Sequence, residues 1–263
     1  MDLGLKGKGV LVLASSTGLG KAGAMEFAKE GAKVMLFSSS SDKLIDTVEE
    51  IKRTTNNNSV FYSVGDMTKR EDIESVVEKS VSELGRIDVL VNNTGGPPAG
   101  PFTAFSDADW QQAYELVLLS FIRSIRAVIP HMKAQGGGRI INSTSSSVKS
   151  VIDNLILSNT LRAGVLGLTK TLSQELGPDN ILINVLGPGR IETNRTKQLD
   201  ENKGKKLGML SEEIKNQSIM SIPLGRYGTS EEYAKLMVYL CSEANTYITG
   251  QTILADGGFV KAL

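Results

Sequence analysis

A run of small residues near the start of the chain has the composition of a phosphate-binding turn. Residues 15–20 read Ser-Ser-Thr-Gly-Leu-Gly, directly after an apolar segment and before a helical pattern that begins at Lys21. Small side chains let backbone amides approach a pyrophosphate, and a helix amino terminus adds unpaired N–H groups with a partial positive charge. A tight strand-to-helix turn also uses glycine for packing alone, so this loop taken by itself leaves both interpretations open.

Two further glycine-containing loops strengthen the functional interpretation. Residues 92–96 read Asn-Asn-Thr-Gly-Gly, and residues 187–193 read Gly-Pro-Gly-Arg-Ile-Glu-Thr. Each follows a predicted strand, and the carboxyl ends of parallel strands open onto the crevice where open α/β sheets bind their ligands. The three loops together predict a dinucleotide site at the carboxyl edge of a sheet.

The elements that must position these loops are apolar runs of strand length that alternate with helical patterns. This alternation predicts repeated βαβ units and a parallel sheet. The predicted strands cover residues 10–14, 34–37, 60–64, 87–91, 139–142, 181–186 and 252–254. The predicted helices cover residues 20–30, 42–53, 70–84, 109–135, 153–176 and 231–242. We expect a single α/β domain over residues 1–263, a Rossmann-like, doubly wound, seven-stranded parallel sheet with helices on both faces.

Some boundaries have specific signals, and one segment has none. Gly31, Gly85 and Gly177 each follow a helical run, where a left-handed residue best ends a helix, and Pro178 follows the last of them. The stretch 196–211 is rich in Lys, Gly and Asn without a clear period, which predicts a mobile loop or a loosely packed helix.

Composition argues against several classes of partner. The 29 Lys and Arg residues balance 29 Asp and Glu residues, so no basic stripe indicates nucleic acid or a membrane surface. The amino terminus shows no signal or transit pattern, no apolar run reaches ~20 residues, and we expect a cytoplasmic protein. Cys241 and His131 are the only residues of their types, so neither a disulfide within the chain nor a usual zinc site is expected. For Cys241 we expect ordinary packing in a helix.

From about residue 6 to residue 258, the chain resembles the short-chain dehydrogenase/reductase family and is most similar to its 3-oxoacyl-acyl-carrier-protein reductase branch. The motifs that carry the resemblance are 92–95 for N-N-A-G, 188–193 for P-G-x-I-x-T, Ile-Pro-Leu-Gly-Arg at 222–226, Ile-Thr-Gly-Gln at 248–251 and Asp-Gly-Gly at 256–258. The resemblance implies an NAD(P)-dependent oxidoreductase that reduces a 3-oxoacyl, keto or sugar carbonyl. The segment at about 190–222 would form the substrate loop.

The resemblance also implies which residues contact the coenzyme. The loop at 15–20 would hold the diphosphate, residues 66–67 the adenine, residues 93–95 the ribose, and Ile191 with Thr193 the nicotinamide carboxamide. The residues so assigned are Ala14, Ser16, Thr17, Gly18, Leu19, Gly20, Asp66, Met67, Asn93, Thr94, Gly95, Arg162, Pro188, Gly189, Ile191 and Thr193. The first loop departs from the family's T-G-x-x-x-G-x-G, because Leu13 replaces the Thr and Ala14 the first Gly. One extra methyl at Ala14 is tolerated if the local φ is negative.

The end of the second predicted strand bears on the choice of coenzyme. An acidic residue there would accept hydrogen bonds from the ribose of NAD and repel a 2′-phosphate, but this chain has serine at all of 38–41. Ser38 and Ser39, with Lys43 nearby, could receive a phosphate, which favours NADP(H) over NAD(H). The serine run could equally cap the helix that contains Asp42.

The catalytic positions keep the family's spacing and change its chemistry. The family uses Ser, Tyr and Lys, and the matching positions here are Ser145, Ser158 and Arg162. A spacing of i, i+4 keeps Ser158 and Arg162 on one helix face. A serine hydroxyl is too weak an acid to replace a phenol, and arginine does not release a proton as lysine does. A further family Asn is replaced by Val117, and Tyr114 and Lys149 are weak candidates for a substitute proton donor.

Three functions therefore stand beside one another. The first is carbonyl reduction with hydride from NAD(P)H, in which Ser145 holds the oxygen, Arg162 stabilises a developing alkoxide, and water or an unassigned donor supplies the proton. The second is dinucleotide binding without turnover, as a sensor or pseudo-enzyme. The third is different chemistry, with Arg162 bound to a carboxylate or phosphate of the substrate. Oxidoreductase is our first choice. By the resemblance we expect a homo-oligomer, a tetramer or a dimer, built on helices around 113–132 and 155–176 and on 250–258.

Overall fold

One parallel sheet of seven strands runs through the protein. The computed structural model describes residues 2–262. The strand order is β3-β2-β1-β4-β5-β6-β7, and all neighbouring strands are parallel. The strands are β1 (Gly9–Leu13), β2 (Lys33–Ser38), β3 (Val60–Val64), β4 (Val89–Asn92), β5 (Gly138–Ser143), β6 (Ile181–Pro188) and β7 (Thr252–Ala255). The predicted fold class is confirmed.

Helices cover both faces of this sheet. They are α1 (Gly18–Lys29), α2 (Ser41–Thr55), α3 (Arg70–Leu84), α4 (Asp107–Tyr114), α5 (Ser120–Ala134), α6 (Ile156–Leu176), α7 (Asn194–Leu207), α8 (Ser211–Met220) and α9 (Ser230–Leu240). The predicted helix at 109–135 is α4 and α5, which are joined by a π-helical turn, Glu115–Leu119. The segment at 196–211, predicted as a loop or a loosely packed helix, falls largely in α7. No helix within residues 2–262 has the length and apolar character that crossing a bilayer requires.

The central strands are largely apolar because both of their faces are covered. All five residues of β1 and all four of β4 are buried. One core packs against one face and includes Phe27 of α1 and Tyr233 of α9, with the thiol-bearing Cys241 buried beside them. The other core includes Phe121 of α5 and Val165 of α6. The two cores fix the sheet between two helical layers.

The order of the strands defines where a ligand can bind. The chain moves outward from β1 to β2 and β3, then returns to β4 and moves outward on the other side. Between β1 and β4 the connections therefore leave in opposite directions, which opens a crevice at the carboxyl ends of the strands. The three glycine-containing loops all lie at this edge.

The predicted helix ends are right at two of three glycines. Gly31 and Gly85 have φ values of 76° and 81° and lie just beyond α1 and α3. The prediction of a left-handed Gly177 is wrong, since its φ is −54°. It begins a short 3₁₀ turn that continues through Pro178, whose fixed φ suits a helical turn, and Asn180 takes the left-handed conformation instead, with φ 56°.

Candidate functional site

The carboxyl ends of the central strands open onto a cleft of about 540 Å³. Most of the residues predicted from the sequence lie together in its lining. These are Ala14, Ser16, Thr17, Gly18, Leu19, Ser38, Asn93, Thr94, Gly95, Ser145, Ser158, Arg162, Pro188, Gly189, Ile191 and Thr193. The other predicted residues, Gly20, Ser39, Asp66 and Met67, lie outside the lining.

The turn between β1 and α1 leaves donors free for an anion. Thr17 is the residue before the first turn of α1, and its side chain makes no capping hydrogen bond. The first amides of a helix have no partner within the helix, so those at the start of α1 remain available. A Cβ atom on Gly20 would lie 2.5 Å from the carbonyl oxygen of Ala14. Gly20 therefore lets the loop pack on the helix, although it does not itself line the cleft.

Ala14 adopts a conformation that the sequence did not lead us to expect. Its φ is +47°, so the condition of a negative φ, under which the extra methyl is tolerated, is not met. A left-handed backbone costs an L-residue roughly 1–2 kcal/mol relative to a right-handed one. The chain must reverse direction tightly between β1 and α1, and Asn93 Nδ2 donates a hydrogen bond of 3.1 Å to the Ala14 carbonyl oxygen. The loop thus holds Ala14 in a backbone conformation that glycine would adopt without strain.

The end of β2 presents hydroxyl groups and no carboxylate. The Oγ atoms of Ser16 and Ser38 are 2.9 Å apart, which joins the first loop to the second strand. Ser40 precedes α2 but makes no capping hydrogen bond through its side chain. Ser39 is exposed. The hydroxyls of Ser16 and Ser38 are therefore placed at the cleft, while those of their neighbours are not part of its lining.

The side chains of the two residues expected to contact the adenine, Asp66 and Met67, are already engaged within the protein. The Asp66 carboxylate accepts hydrogen bonds of 2.8 Å from the backbone N–H and from the hydroxyl of Thr68. The Met67 side chain is buried in the core. A ligand would therefore contact the backbone of these two residues and the edge that they present at the surface.

Of the three residues expected to do catalysis, Ser158 and Arg162 are buried and joined to each other, while Ser145 is half-buried. Arg162 Nε donates to Ser158 Oγ at 3.2 Å, and Arg162 Nη1 donates to the Ser143 carbonyl oxygen at 3.4 Å. Ser145 Oγ accepts a hydrogen bond of 3.1 Å from the backbone N–H of Ser147. Burial lowers the pKa of Arg162 to about 10, Tyr233 acts in the opposite direction, and the charge of Arg195 adds to the lowering. Arg162 thus remains a cation at neutral pH.

Several residues of the cleft were missed by the sequence reasoning. Arg195, Lys203 and Lys206 of α7 line it, as does Arg190, which pairs with Asp200 at 3.1 Å. The Lys-rich composition of this segment was the only signal for them. The weak candidates for a proton donor, Tyr114 and Lys149, are not in the lining, and Val117 is fully buried in the π-helical turn.

The donor set of the cleft fits a nicotinamide dinucleotide. The Oγ1 atoms of Thr94 and Thr144 are buried and have no hydrogen-bond partner within the described chain, and both residues line the cleft. A Cβ atom on Gly95 would meet no atom within 4 Å, so open space lies beside this loop. Free amides at α1, hydroxyls along the walls and space beside Gly95 are the features that a diphosphate, two riboses and a flat ring require.

Known proteins match the chain over nearly its whole length. Residues 13–260 match the family described as enoyl-(acyl carrier protein) reductase. The 3-oxoacyl-[acyl-carrier-protein] reductase FabG of Thermotoga maritima is 36% identical, over 97% of this chain and 99% of that protein. The NADPH-dependent reductase BacG of Bacillus subtilis is 32% identical, over 96% and 97%. The L-sorbose reductase of Gluconobacter frateurii, solved with NADPH and L-sorbose, superposes with a TM-score of 0.94 at 32% identity, over 100% of both chains.

Proposed function

The chain belongs to the short-chain dehydrogenase/reductase family, and from this we propose that it is an NAD(P)-dependent oxidoreductase, NADP(H) being preferred, that reduces the carbonyl group of a small-molecule substrate. The observation that carries the proposal is the uncapped amino terminus of α1, which lies in one cleft with the loops that follow β4 and β6. The names of an oxoacyl reductase, a sugar reductase and a hydroxysteroid dehydrogenase among its relatives support carbonyl reduction.

The coenzyme would lie along the carboxyl edge of the sheet. The amides of residues 16–20 would bind the diphosphate, Asn93 to Gly95 the ribose, and Ile191 with Thr193 the carboxamide. The edge of Asp66 and Met67 would contact the adenine. When bound, the nicotinamide supplies or accepts a hydride, and the chain's own residues supply everything else.

The preference for NADP(H) rests on the end of β2. The Ser16 and Ser38 hydroxyls stand where a ribose 2′-phosphate would be received, and no carboxylate there repels it. Solved relatives that carry NADPH in their descriptions include the L-sorbose reductase and the reductase YwfH, while a 7α-hydroxysteroid dehydrogenase was solved with NADH. Ser39 and Lys43 would reinforce the phosphate contact from the exposed side.

In the reaction itself, the side chains bind and orient rather than exchange protons. Ser145 would hold the carbonyl oxygen, and Arg162, fixed by Ser158, would stabilise the negative charge that develops there. Neither a serine hydroxyl nor a guanidinium serves as a proton donor near neutral pH, so the proton would come from water.

A second candidate function is coenzyme binding without turnover. It is favoured by one observation, the hydrogen bond between Arg162 and Ser158, which occupies both positions where the family has its proton-transferring pair. On this alternative the cleft still binds the coenzyme.

Calorimetric titration with NADPH and NADH tests the binding, and loss of nicotinamide absorbance with diketones, oxo acids and sugars tests the turnover. Gly18→Val should abolish binding, because Gly18 lies at the diphosphate loop with φ 58°. Gly7→Val is the matched control, because Gly7 has φ 77°, no atom within 4 Å of its Cβ position, and no place in the cleft. Absence of binding to the wild type would overturn the proposal, whereas binding without any turnover would favour the second candidate.

Assembly and organisation complete the proposal. We expect a homo-oligomer, a tetramer or a dimer, in which β7 contributes a contact, because this edge strand is only half-buried along its length. We also propose that the whole chain acts as one domain in which residues 190–222, with α7 and α8, form the substrate loop. Light scattering measures the first of these. A cytoplasmic location stays a prediction of the sequence.

A further inference from the structure

Arg162 is a buried cation for which residues 2–262 supply no counter-charge. It is 5% exposed, and its two hydrogen bonds go to neutral oxygens, Ser158 Oγ and the Ser143 carbonyl. Among residues 2–262, no carboxylate forms an ion pair with it. A guanidinium has five N–H donors, and a buried charge is strongly unfavourable unless an opposite charge meets it. Since Arg162 lines the cleft, that opposite charge can come from a ligand.

A second arginine, exposed and on another element, can contact the same anion. Arg195, at the start of α7, lines the cleft and lies close enough for its charge to lower the pKa of Arg162. Its Nη2 donates to the Pro97 carbonyl oxygen at 2.9 Å, and no carboxylate of the described chain pairs with it. Both arginines therefore have donors to spare. Their mutual repulsion falls when an anion lies between them.

The other charged groups of the cleft have the same sign, with one exception. Lys203 and Lys206 line the cleft from α7 and are exposed, and the charge of Arg190 is neutralised by Asp200. Asp153 is the acidic residue in the lining, and it is exposed. The charged side chains of the cleft thus sum to a positive charge, which would remain available to a substrate because the amides at the start of α1 would bind the coenzyme diphosphate.

We propose that the substrate is a ketone with an anionic group, a carboxylate or a phosphate, which Arg162 and Arg195 bind together. The inference rests on the proposed function and names the substrate class for it. A guanidinium binds carboxylates and phosphates through parallel N–H groups, and a 2-oxo or 3-oxo acid brings its carboxylate next to the carbonyl. Arg162 then serves two purposes, since one edge of it holds the anion and its charge stabilises the alkoxide.

The test compares matched substrates on the coenzyme-loaded protein. Acetoacetate and pyruvate are paired with their methyl esters, and hydroxyacetone phosphate with hydroxyacetone. We expect the charged member of one pair to exceed its neutral partner in kcat/KM by about 10- to 100-fold, as is usual for a hydrogen-bonded charge. The pair that shows this difference identifies the anionic group of the substrate as a carboxylate or a phosphate. Equal or greater activity with the neutral members would overturn the inference and leave the proposed reductase standing.

A binding measurement covers the case in which no tested ketone turns over. Malonate and inorganic phosphate are titrated by calorimetry into protein saturated with NADP⁺, at constant ionic strength. We expect one of them to bind beside the coenzyme. Failure of both to bind, or competition of either with NADP⁺, would overturn the inference. Failure of NADP⁺ itself to bind would instead overturn the proposed function, so the two failures are distinguishable.

Variants of Arg195 show whether the two arginines act together. Arg195→Gln should lower the affinity for the anion by about 10- to 100-fold and leave the affinity for NADPH unchanged. Lys197→Gln is the matched control, because Lys197 is an exposed cation of the same helix outside the cleft lining. Equal effects of the two variants would mean that the overall charge of α7, and not a site, attracts the anion.

Discussion

At position 162 the side chain keeps its proton throughout the physiological range, because burial lowers its pKa only to about 10. The family resemblance implies a lysine at this place that assists proton transfer through a tyrosine, where this chain has Arg162 and Ser158. These two residues are joined by a hydrogen bond of 3.2 Å. On the proposed function, the exchange of two residues would turn a proton-transferring pair into an anion-binding one.

Removal of the buried charge should stabilise the coenzyme-free protein. The folded pKa of Arg162 lies below its ordinary value of 12.5, so burial of the charged form costs stability in full below about pH 10, and the cost shrinks as the pH rises through 10. We expect Arg162→Met to raise the free energy of unfolding at pH 7 by about 1–3 kcal/mol, measured by urea denaturation. A lower free energy of unfolding would show that the lost hydrogen bonds outweigh the charge.

Replacement of Ala14 by glycine should stabilise the folded protein. With φ at +47°, alanine is strained by about 1–2 kcal/mol, and the greater entropy of an unfolded glycine offsets about half of that. We expect Ala14→Gly to stabilise the protein by about 0.5–1 kcal/mol in the same assay. Ala22→Gly, inside α1, is the control and should destabilise it by a similar amount, since glycine is unfavourable in a helix. Two changes of the same sign would contradict the assignment of strain.

Among the elements, the end of β2 should decide which coenzyme binds. Ser38 lies in the cleft with its hydroxyl 2.9 Å from that of Ser16. We expect Ser38→Asp to lower the affinity for NADPH by about tenfold or more and to leave the affinity for NADH unchanged. The reason is that a carboxylate repels the 2′-phosphate and accepts hydrogen bonds from ribose hydroxyls. The ratio of the two dissociation constants is the measurement. Asn58→Asp adds the same charge in the turn before β3 and should leave the ratio unchanged.

The face of α6 should accept the family's catalytic pair. The i, i+4 spacing of Ser158 and Arg162 is retained, and both residues line the cleft. We expect Ser158→Tyr with Arg162→Lys to raise turnover of neutral ketones, by up to the ~10²–10⁴ typical of a placed general acid. Ser158→Tyr alone should give a smaller gain in turnover, because the cation beside the phenol would then be arginine and not the lysine that lowers the phenol pKa in the family. No gain with intact NADPH binding would favour different chemistry in this cleft.

How far the sequence predicts an element depends on what that element buries. The strands were predicted to within two residues at each end, because their residues are apolar on both faces. In contrast, α7 buries only Asp200 and Gly204, so no apolar period announced it. Arg195 was missed for a further reason, because its contact with Pro97 joins residues 98 positions apart. The φ of Ala14 was also out of reach, because it is imposed by the loop as a whole.

For the whole molecule, coenzyme binding and folding should be linked. The cleft is built from loops at the ends of strands that belong to both halves of the sheet, so a ligand there stabilises only the folded chain. At 100 times its dissociation constant, NADPH should add about 2.7 kcal/mol. For a chain of this size we expect the Tm to rise by about 5–10 °C, measured by calorimetry. The Gly18→Val protein should show no rise, and a rise in it would place the coenzyme elsewhere.

The hydrogen bond from Arg195 to the Pro97 carbonyl joins α7 to the loop after β4 at the cleft. Both segments line the cleft, through Gly96 and Ala99 in the loop and Arg195 in α7. On the proposed function, an anion bound by Arg195 would lie beside this contact, whereas a neutral molecule would not be held there. We therefore expect the residence time of an anionic substrate, as well as its affinity, to depend on this contact.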